Sequence, residues 1–275
     1  MSVKLSRIVK RLEELYPPRL AEEWDRVGLI TGHPDSEIDK VLVAVDPVAK
    51  VLEQAIEVGA QLIVTHHPLY LRGTSFVAAT DPKGILIHRL IENGIALYNA
   101  HTNADSAEGG VADSLAAAVG LKDTRPLIPL SEHTGSGRIG DLPVSLPLKD
   151  FAQQVAQALP PCPAGILIGG DLEAKVKTIA VSGGSGDSFL EDARRAGADV
   201  YICADLRHHP ASEHLEAGRP YLICATHWAS EWPWVPGCAH NLEKSFAGKL
   251  TVKVSKICTD PWVARIAPVT TENYR

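Results

Sequence analysis

Leu62-Ile63-Val64-Thr65-His66-His67-Pro68 is an apolar run of strand length that stops on two imidazoles and a proline. Its brevity, its β-branched residues and the closing proline predict a buried strand rather than a helix. Upstream, Lys40-Val41-Leu42-Val43-Ala44-Val45-Asp46 reads as a second buried strand, followed by a helix through Val51 to Val58 and a turn at Gly59. Downstream, a helical stretch from about Gly84 to Asn93 leads through Gly94 into Ile95-Ala96-Leu97-Tyr98, which ends on His101. Strands alternating with helices of this length predict right-handed βαβ units around a mostly parallel sheet.

Leu5, Ile8, Val9, Leu12 and Leu15 recur at helical spacing among charged residues, so the chain opens on an amphipathic helix that Pro17-Pro18 stops. Between residues 122 and 175 Pro and Gly become frequent and the runs alternate, as in Ile139 to Leu148 and Gly165-Ile166-Leu167-Ile168-Gly169. That change predicts a boundary followed by a second domain with some antiparallel strands. Strand–helix alternation returns at Lys177 to Val181, Asp199 to Cys203 and Tyr221 to Ala225. The expected fold is two α/β domains with mixed, largely parallel sheets.

With 275 residues, 45% of them hydrophobic and 22% charged, the chain can bury a sizeable core and has an ordinary globular composition. A formal net charge of −6 argues against a general nucleic-acid-binding surface, though bound metal ions would not enter that count. The five cysteines are scattered and never in a CxxC spacing, which argues against a disulfide framework or a thiolate zinc site. Cys203 and Cys224 lie in apolar runs, where small buried hydrophobes are expected. Ser2 to Glu14 is charged throughout, unlike a signal peptide, and no apolar run nears the ~20 residues of a membrane helix. A cytoplasmic protein with no membrane partner is expected.

Three stretches put a histidine or carboxylate where an apolar run stops: Thr65 to Pro68, His101-Thr102-Asn103-Ala104-Asp105 and His227-Trp228-Ala229-Ser230-Glu231. Ligands of open α/β sheets gather outside the carboxyl ends of the strands, so these distant segments are expected to share one cleft. His101 with Asp105, and His227 with Glu231, are i, i+4 pairs that one helical turn would put on a common face. Four imidazoles and two carboxylates are too many for one ordinary metal ion and suit two divalent ions chosen from Zn, Mn, Fe, Co or Ni. Two such ions with two ionised carboxylates leave about +2 at the site, enough to acidify a bound water and attract an anionic substrate. Each stretch also has a plain reading: a surface His-His pair, a helix cap at Asp105, a surface helical pair at His227. Their coincidence at three strand ends favours metal.

Leu62 to Leu69, Asn99 to Gly110, Val181-Ser182-Gly183-Gly184-Ser185-Gly186 and His227-x3-Glu231 together resemble the NGG-interacting-factor-like dinuclear metal-centre proteins, also called GTP cyclohydrolase I type 2 homologues. Trp24-Asp25-x-Val27-Gly28-Leu29 fits the same family, so the resemblance runs through nearly the whole chain. It implies that His66, His67, Asp105, His227 and Glu231 are the metal ligands, with Glu231 touching both ions. His101 would be a sixth ligand or a supporting group. It also implies a discontinuous metal-binding domain of residues 1–125 plus 226–275, an inserted domain of residues 126–225, a metal site in the cleft between them, and a toroidal homohexamer built as a trimer of dimers. The chain departs from the family at Ala204-Asp205, where Gly-Asp is common, and at Cys224-Ala225-Thr226, where Asp-Ala-Gly is common. Neither departure removes a ligand; both are expected to alter the pocket walls.

Two further features are candidates for substrate contact. Gly183, Gly184, Ser185 and Gly186 follow a strand and precede a helix beginning near Asp187, so their amides could hold an anion; a plain tight turn is the alternative. Asp205, His208 and His209 follow the strand ending at Cys203 and could reach the cleft, His209 being the better candidate. The expected activity is metal-dependent hydrolysis of a small anionic molecule such as a nucleotide, with His101 or His209 moving the proton. The family label implies attack on a purine imidazole ring with release of formate. The alternative is a non-enzymatic toroid that binds metal or a protein partner and regulates it; threading of nucleic acid through the ring ranks third.

Overall fold

The structure, a computed structural model, describes residues 2–266. The last part of the expected discontinuous domain, residues 267–275, lies outside the described residues. In chain order the strands are Val3–Lys4 (β1), Gly28–Thr31 (β2), Glu37–Ile38 (β3), Lys40–Ala44 (β4), Leu62–Thr65 (β5), Ala96–Asn99 (β6) and Lys122–Pro129 (β7). Gly135–Pro147 (β8), Leu167–Gly169 (β9), Lys175–Ser185 (β10), Val200–Ala204 (β11), Tyr221–Ala225 (β12) and Thr251–Val254 (β13) complete the set.

Every residue of β5 is buried, because it runs in the middle of a five-stranded sheet of order β13-β4-β5-β6-β2. The neighbours β4 and β6 are parallel to it, in the register Val43↔Val64 and Val64↔Tyr98. Alternate side chains serve opposite faces. Val41, Val43, Leu62, Val64 and Tyr98 enter one core, and Leu42, Ala44, Ile63 and Leu97 the other. The second core is closed by Val51, Leu52 and Ala55 of the helix Ala49–Val58 and by Leu86, Ile87 and Leu90 of the helix Pro82–Glu92. Each such aliphatic side chain contributes roughly 1.5–3 kcal/mol by leaving water. Gly59 ends the first of these helices at φ +67, and Asp81 begins the second by accepting from the amides of Lys83 (2.9 Å) and Gly84 (3.1 Å).

The second sheet has the order β7-β8-β10-β11-β12-β9. Here β10, β11 and β12 are parallel, while β7, β8 and β9 join antiparallel. The chain is thus two α/β domains with mixed, largely parallel sheets. The run expected from Ile139 to Leu148 begins earlier, at Gly135, and Leu148 is already the first residue of the helix Leu148–Ala158. Gly135 allows that early start: a Cβ there would meet the Ile128 carbonyl oxygen at 2.1 Å, so only glycine lets β7 and β8 close.

One hydrophobic core runs through both domains. Val41, Val43 and Val64 of the first sheet and Ile179, Val181 and Ile202 of the second enclose Leu5, Ile8 and Leu12, Val111 and Leu115, and Trp234 and Leu242. Arg138, fully buried on β8, pairs with Asp113 of the helix Val111–Ala118 and donates to the carbonyls of Gly135 (2.7 Å), Gly137 (2.7 Å) and Ala107 (3.1 Å). The carboxyl ends of parallel strands from both sheets meet at one place. Asp46, His66 and His101 follow β4, β5 and β6, while Gly183–Gly184, Asp205 and His227 lie at or just past the ends of β10, β11 and β12. No helix among the described residues is long and apolar enough to cross a membrane.

Candidate metal centre

The strand β5 ends where its ladder with β4 loses the alternation of donors. The amides of His66 and His67 donate to the carbonyls of Ala44 (3.3 Å) and Val45 (2.9 Å), and Pro68 has no amide to continue. Both imidazoles turn toward the cleft and converge on Glu231. His66 Nε2 lies 3.4 Å from Oε1 and His67 Nε2 3.1 Å from Oε2. Glu231 belongs to the helix His227–Glu231, which Thr226 caps through the amide of Ala229, and one turn earlier His227 Nε2 meets Oε1 at 2.9 Å. His101 stands just before the helix Thr102–Ser106, which carries Asp105 to within 3.7 Å of His66 Nε2. The two i, i+4 pairs therefore do sit on single helical turns, and the ring centroids of His66–His67, His66–His101 and His67–His227 are 5.0, 5.2 and 5.1 Å apart.

Each imidazole is held from behind by its other nitrogen. His66 Nδ1 donates to the Ala100 carbonyl at 2.9 Å. His67 Nδ1 meets Asp46 at 2.6 Å, His101 Nδ1 meets Asp25 at 3.0 Å, and His227 Nδ1 meets Asp205 at 2.5 Å. These partners fix the tautomer so that Nε2 of His66, His67 and His227 faces the centre, the arrangement that oxygen partners give metal-ligating histidines. The supporting groups are themselves anchored. Thr259 donates to Asp46, and Thr102 donates to Asp25 through both its hydroxyl (2.6 Å) and its amide (3.1 Å). Asp205 comes from the second domain at φ +54, a left-handed backbone that Asp tolerates better than most residues.

Electrostatics show how much opposite charge is compressed here. Burial alone would raise the Glu231 carboxyl, yet the surrounding His67, His66 and His227 hold it well below the ordinary carboxylate range. Burial would lower His227, but Glu231 and Asp205 raise it to about 9, and Glu231 raises both His66 and His67 against the same penalty. Burial, helped by Glu231, pushes Asp105 up. Asp25 is brought down to about 2 by hydrogen bonds from His101 and Thr102 that outweigh its burial.

The donor set fits divalent transition ions. His66 Nε2 and Glu231 Oε2 are buried atoms without a hydrogen bond, a costly state unless another partner takes them. His66, His67 and His101 form one group of donor atoms lying within 4.8 Å of one another, and His67, His227 and Glu231 form an overlapping second. Nitrogen and carboxylate donors without thiolate suit Zn, Mn, Fe, Co or Ni.

Gly183 and Gly184 are shaped by Glu231. A Cβ on Gly183 would meet Val111 at 2.5 Å and Glu231 at 3.3 Å; one on Gly184, at φ +66, would lie 2.5 Å from Glu231 Oε1 and 3.0 Å from His227 Nε2. Glycine at these positions lets β10 close over the carboxylate. The Gly184 amide donates to Ser230 Oγ (2.9 Å) and the Gly186 amide to the Ala204 carbonyl (3.2 Å), so both are already engaged.

Two cavities open on the cluster. The larger, about 1100 Å³, reaches His67, His101 and His227 between walls that include Trp24, Leu206 and Trp262; Cys224, Ala225 and Thr226 line it too. The smaller, about 410 Å³, reaches Asp105 and Glu231 past the hydroxyls of Ser106, Ser182 and Ser185. Ala204 is buried inside β11 and lines neither. His209 stands exposed on the helix His208–Glu216 beside His208, outside both cavities. Asp25 and Asp46 are the supporting groups whose role the sequence did not disclose. Asp46 did end a buried strand as His66 does, which is the signal that could have found it.

A family profile described as Duf34/NIF3 (NGG1p interacting factor 3) matches residues 3–261. A Streptomyces coelicolor protein named GTP cyclohydrolase 1 type 2 homolog is 47% identical over 277 aligned residues, covering 98% of this chain and 97% of that one. A Clostridium perfringens protein of the same name is 34% identical, covering 94% and 99%. Among solved structures, a Bacillus cereus protein related to NIF3 superposes with a TM-score of 0.88 at 25% identity, covering 95% of this chain and 99% of that one.

Proposed function

Because the chain belongs to the DUF34/NIF3 family, we propose that it is a dinuclear metal-dependent hydrolase acting on a small anionic substrate of the nucleotide class. The observation that carries this reading is the convergence of His66, His67, His227 and Glu231, two of their buried atoms lacking a hydrogen bond, with His67 and His227 lining a cavity of about 1100 Å³. In this reading His66, His67, Asp105, His227 and Glu231 would hold two divalent ions. Bound divalent ions supply Lewis acidity and lower the pKa of water in the site.

The protein's own groups do the rest. Asp46, Asp205 and the Ala100 carbonyl keep three imidazoles oriented before substrate arrives. His101 lines both cavities with Nδ1 fixed by Asp25, which places it to move a proton between the reacting centre and solvent. His209, outside both cavities, leaves that role to His101. The hydroxyls of the smaller cavity offer donors to an anionic substrate. The same reading gives a homohexamer, measurable by light scattering.

The test is a panel of nucleotides and phosphoesters assayed on metal-loaded wild type and on Glu231→Gln, with metal content measured in both. Turnover of at least one nucleotide by wild type, lost in Glu231→Gln, supports the reading. A loaded wild type whose turnover never exceeds that of Glu231→Gln removes the hydrolase.

A further inference from the structure

Away from the metal centre, Cys162 and Cys258 hold their sulfur atoms 3.6 Å apart although 96 positions separate them in sequence. Cys162 lies in the loop after the helix Leu148–Ala158, in the part of the chain that builds the second sheet. Cys258 follows β13 of the first sheet. Both are half-buried and free, whereas Cys203 and Cys238 are fully buried and Cys224 lines the large cavity. The contact bridges the two domains.

From this contact we infer that Cys162 and Cys258 are a modification site, an interdomain thiol pair that closes to a reversible disulfide in the presence of a low-molecular-weight disulfide. A disulfide needs its sulfurs at about 2.05 Å, so an approach of about 1.5 Å joins them. The chemistry is two exchanges. One cysteine, as thiolate, attacks a sulfur of the small disulfide, forming a mixed disulfide and expelling one small thiolate. The other cysteine gives its proton to solvent, attacks the protein sulfur of that mixed disulfide and expels the second small thiolate. Two protein thiols are thereby oxidised and one small disulfide is reduced to two thiols. Burial pushes the Cys162 thiol up to about 11, so little thiolate is present at neutral pH. Contact with its partner offsets that by making the closing step intramolecular.

The bond would join two walls of the large cavity. Ala164 and Gly165, just beyond Cys162, line one side, and Thr259 to Trp262, just beyond Cys258, line the other. Thr259 also donates to Asp46, which orients His67, so the staple fixes the segment that supports the cluster from outside. The bond forms whether or not the centre carries metal.

The experiment treats the full chain with oxidised glutathione, then combines non-reducing peptide mapping with hydrogen exchange over residues 255–266. Wild type should give a peptide cross-linked between Cys162 and Cys258 that dithiothreitol reverses, and slowed exchange in that segment. Cys162→Ser and Cys258→Ser should give neither. Glutathione adducts on separate cysteines, or thiols that stay free, would overturn the pairing. A cross-link that leaves exchange unchanged would overturn the staple.

Discussion

Gly184→Ala is the most informative small change, because Gly94→Ala supplies its control. The two glycines have almost the same backbone, φ +66 and φ +65, yet a Cβ on Gly94 meets nothing within 4 Å. Left-handed backbone costs an alanine roughly 1–2 kcal/mol at either position. For a chain of this size that lowers the melting temperature by about 2–8 °C. At Gly184 the added carbon would also lie 2.5 Å from Glu231 Oε1, where ordinary contact begins at 3.4 Å. The carboxylate must yield by about 0.9 Å, well above the roughly 0.2 Å tolerance of a metal–ligand distance. Losing one donor in this way should weaken metal binding about 100-fold, which is roughly 2.7 kcal/mol. Calorimetric titration of both metal-free variants with Zn²⁺ or Mn²⁺, beside thermal denaturation, measures the difference. If Gly184→Ala binds metal as wild type does and melts with Gly94→Ala, β10 does not close on a metal ligand.

Asp205→Asn keeps the left-handed turn but removes the charge behind His227; metal affinity should fall about 10–100-fold with little change in melting temperature, read by the same titration. The pH response should have opposite signs in the two states. In the metal-free protein the raised pKa of His227 makes its ion pairing fully stabilising below its unperturbed 6.5, and that stability is lost as pH rises through about 9. Metal competes with the same proton, so affinity should rise across that window; denaturation and titration between pH 6 and about 9.5 check both trends. Arg138→Met strands Asp113 and three backbone carbonyls in the interdomain core, and chemical denaturation should show a loss of about 3–5 kcal/mol with metal affinity unchanged.

Much of this was legible in the sequence because strand ends are legible. Val41 to Ala44 and Leu62 to Thr65 alternate between two cores, as buried parallel strands do, so both stand out as short apolar runs. His66, His101 and His227 were visible as the residues that break such runs. The i, i+4 spacing of His227 and Glu231 survives intact because one helical turn carries both. Asp25 and Asp46 were not legible as supporting groups, since their partners His101 and His67 lie far along the chain and only tertiary packing joins them. The glycines of Val181 to Gly186 were ambiguous for a related reason. A sequence shows that a glycine is present, and only the approach of Glu231 shows what its missing side chain makes room for. His209 shows that position after a strand does not fix direction, because its helix leaves it exposed and outside both cavities.

The central claim is that one carboxylate, Glu231, joins two ions held by His66, His67, Asp105 and His227. Its most direct test is an anomalous-scattering map of the protein crystallised from solution containing Zn²⁺ or Mn²⁺. Two peaks about 3.5–4 Å apart, one on each side of the Glu231 carboxylate, are expected. No peak at the cluster, or a single ion that leaves one Glu231 oxygen and the Nε2 of His66 uncoordinated, would contradict it.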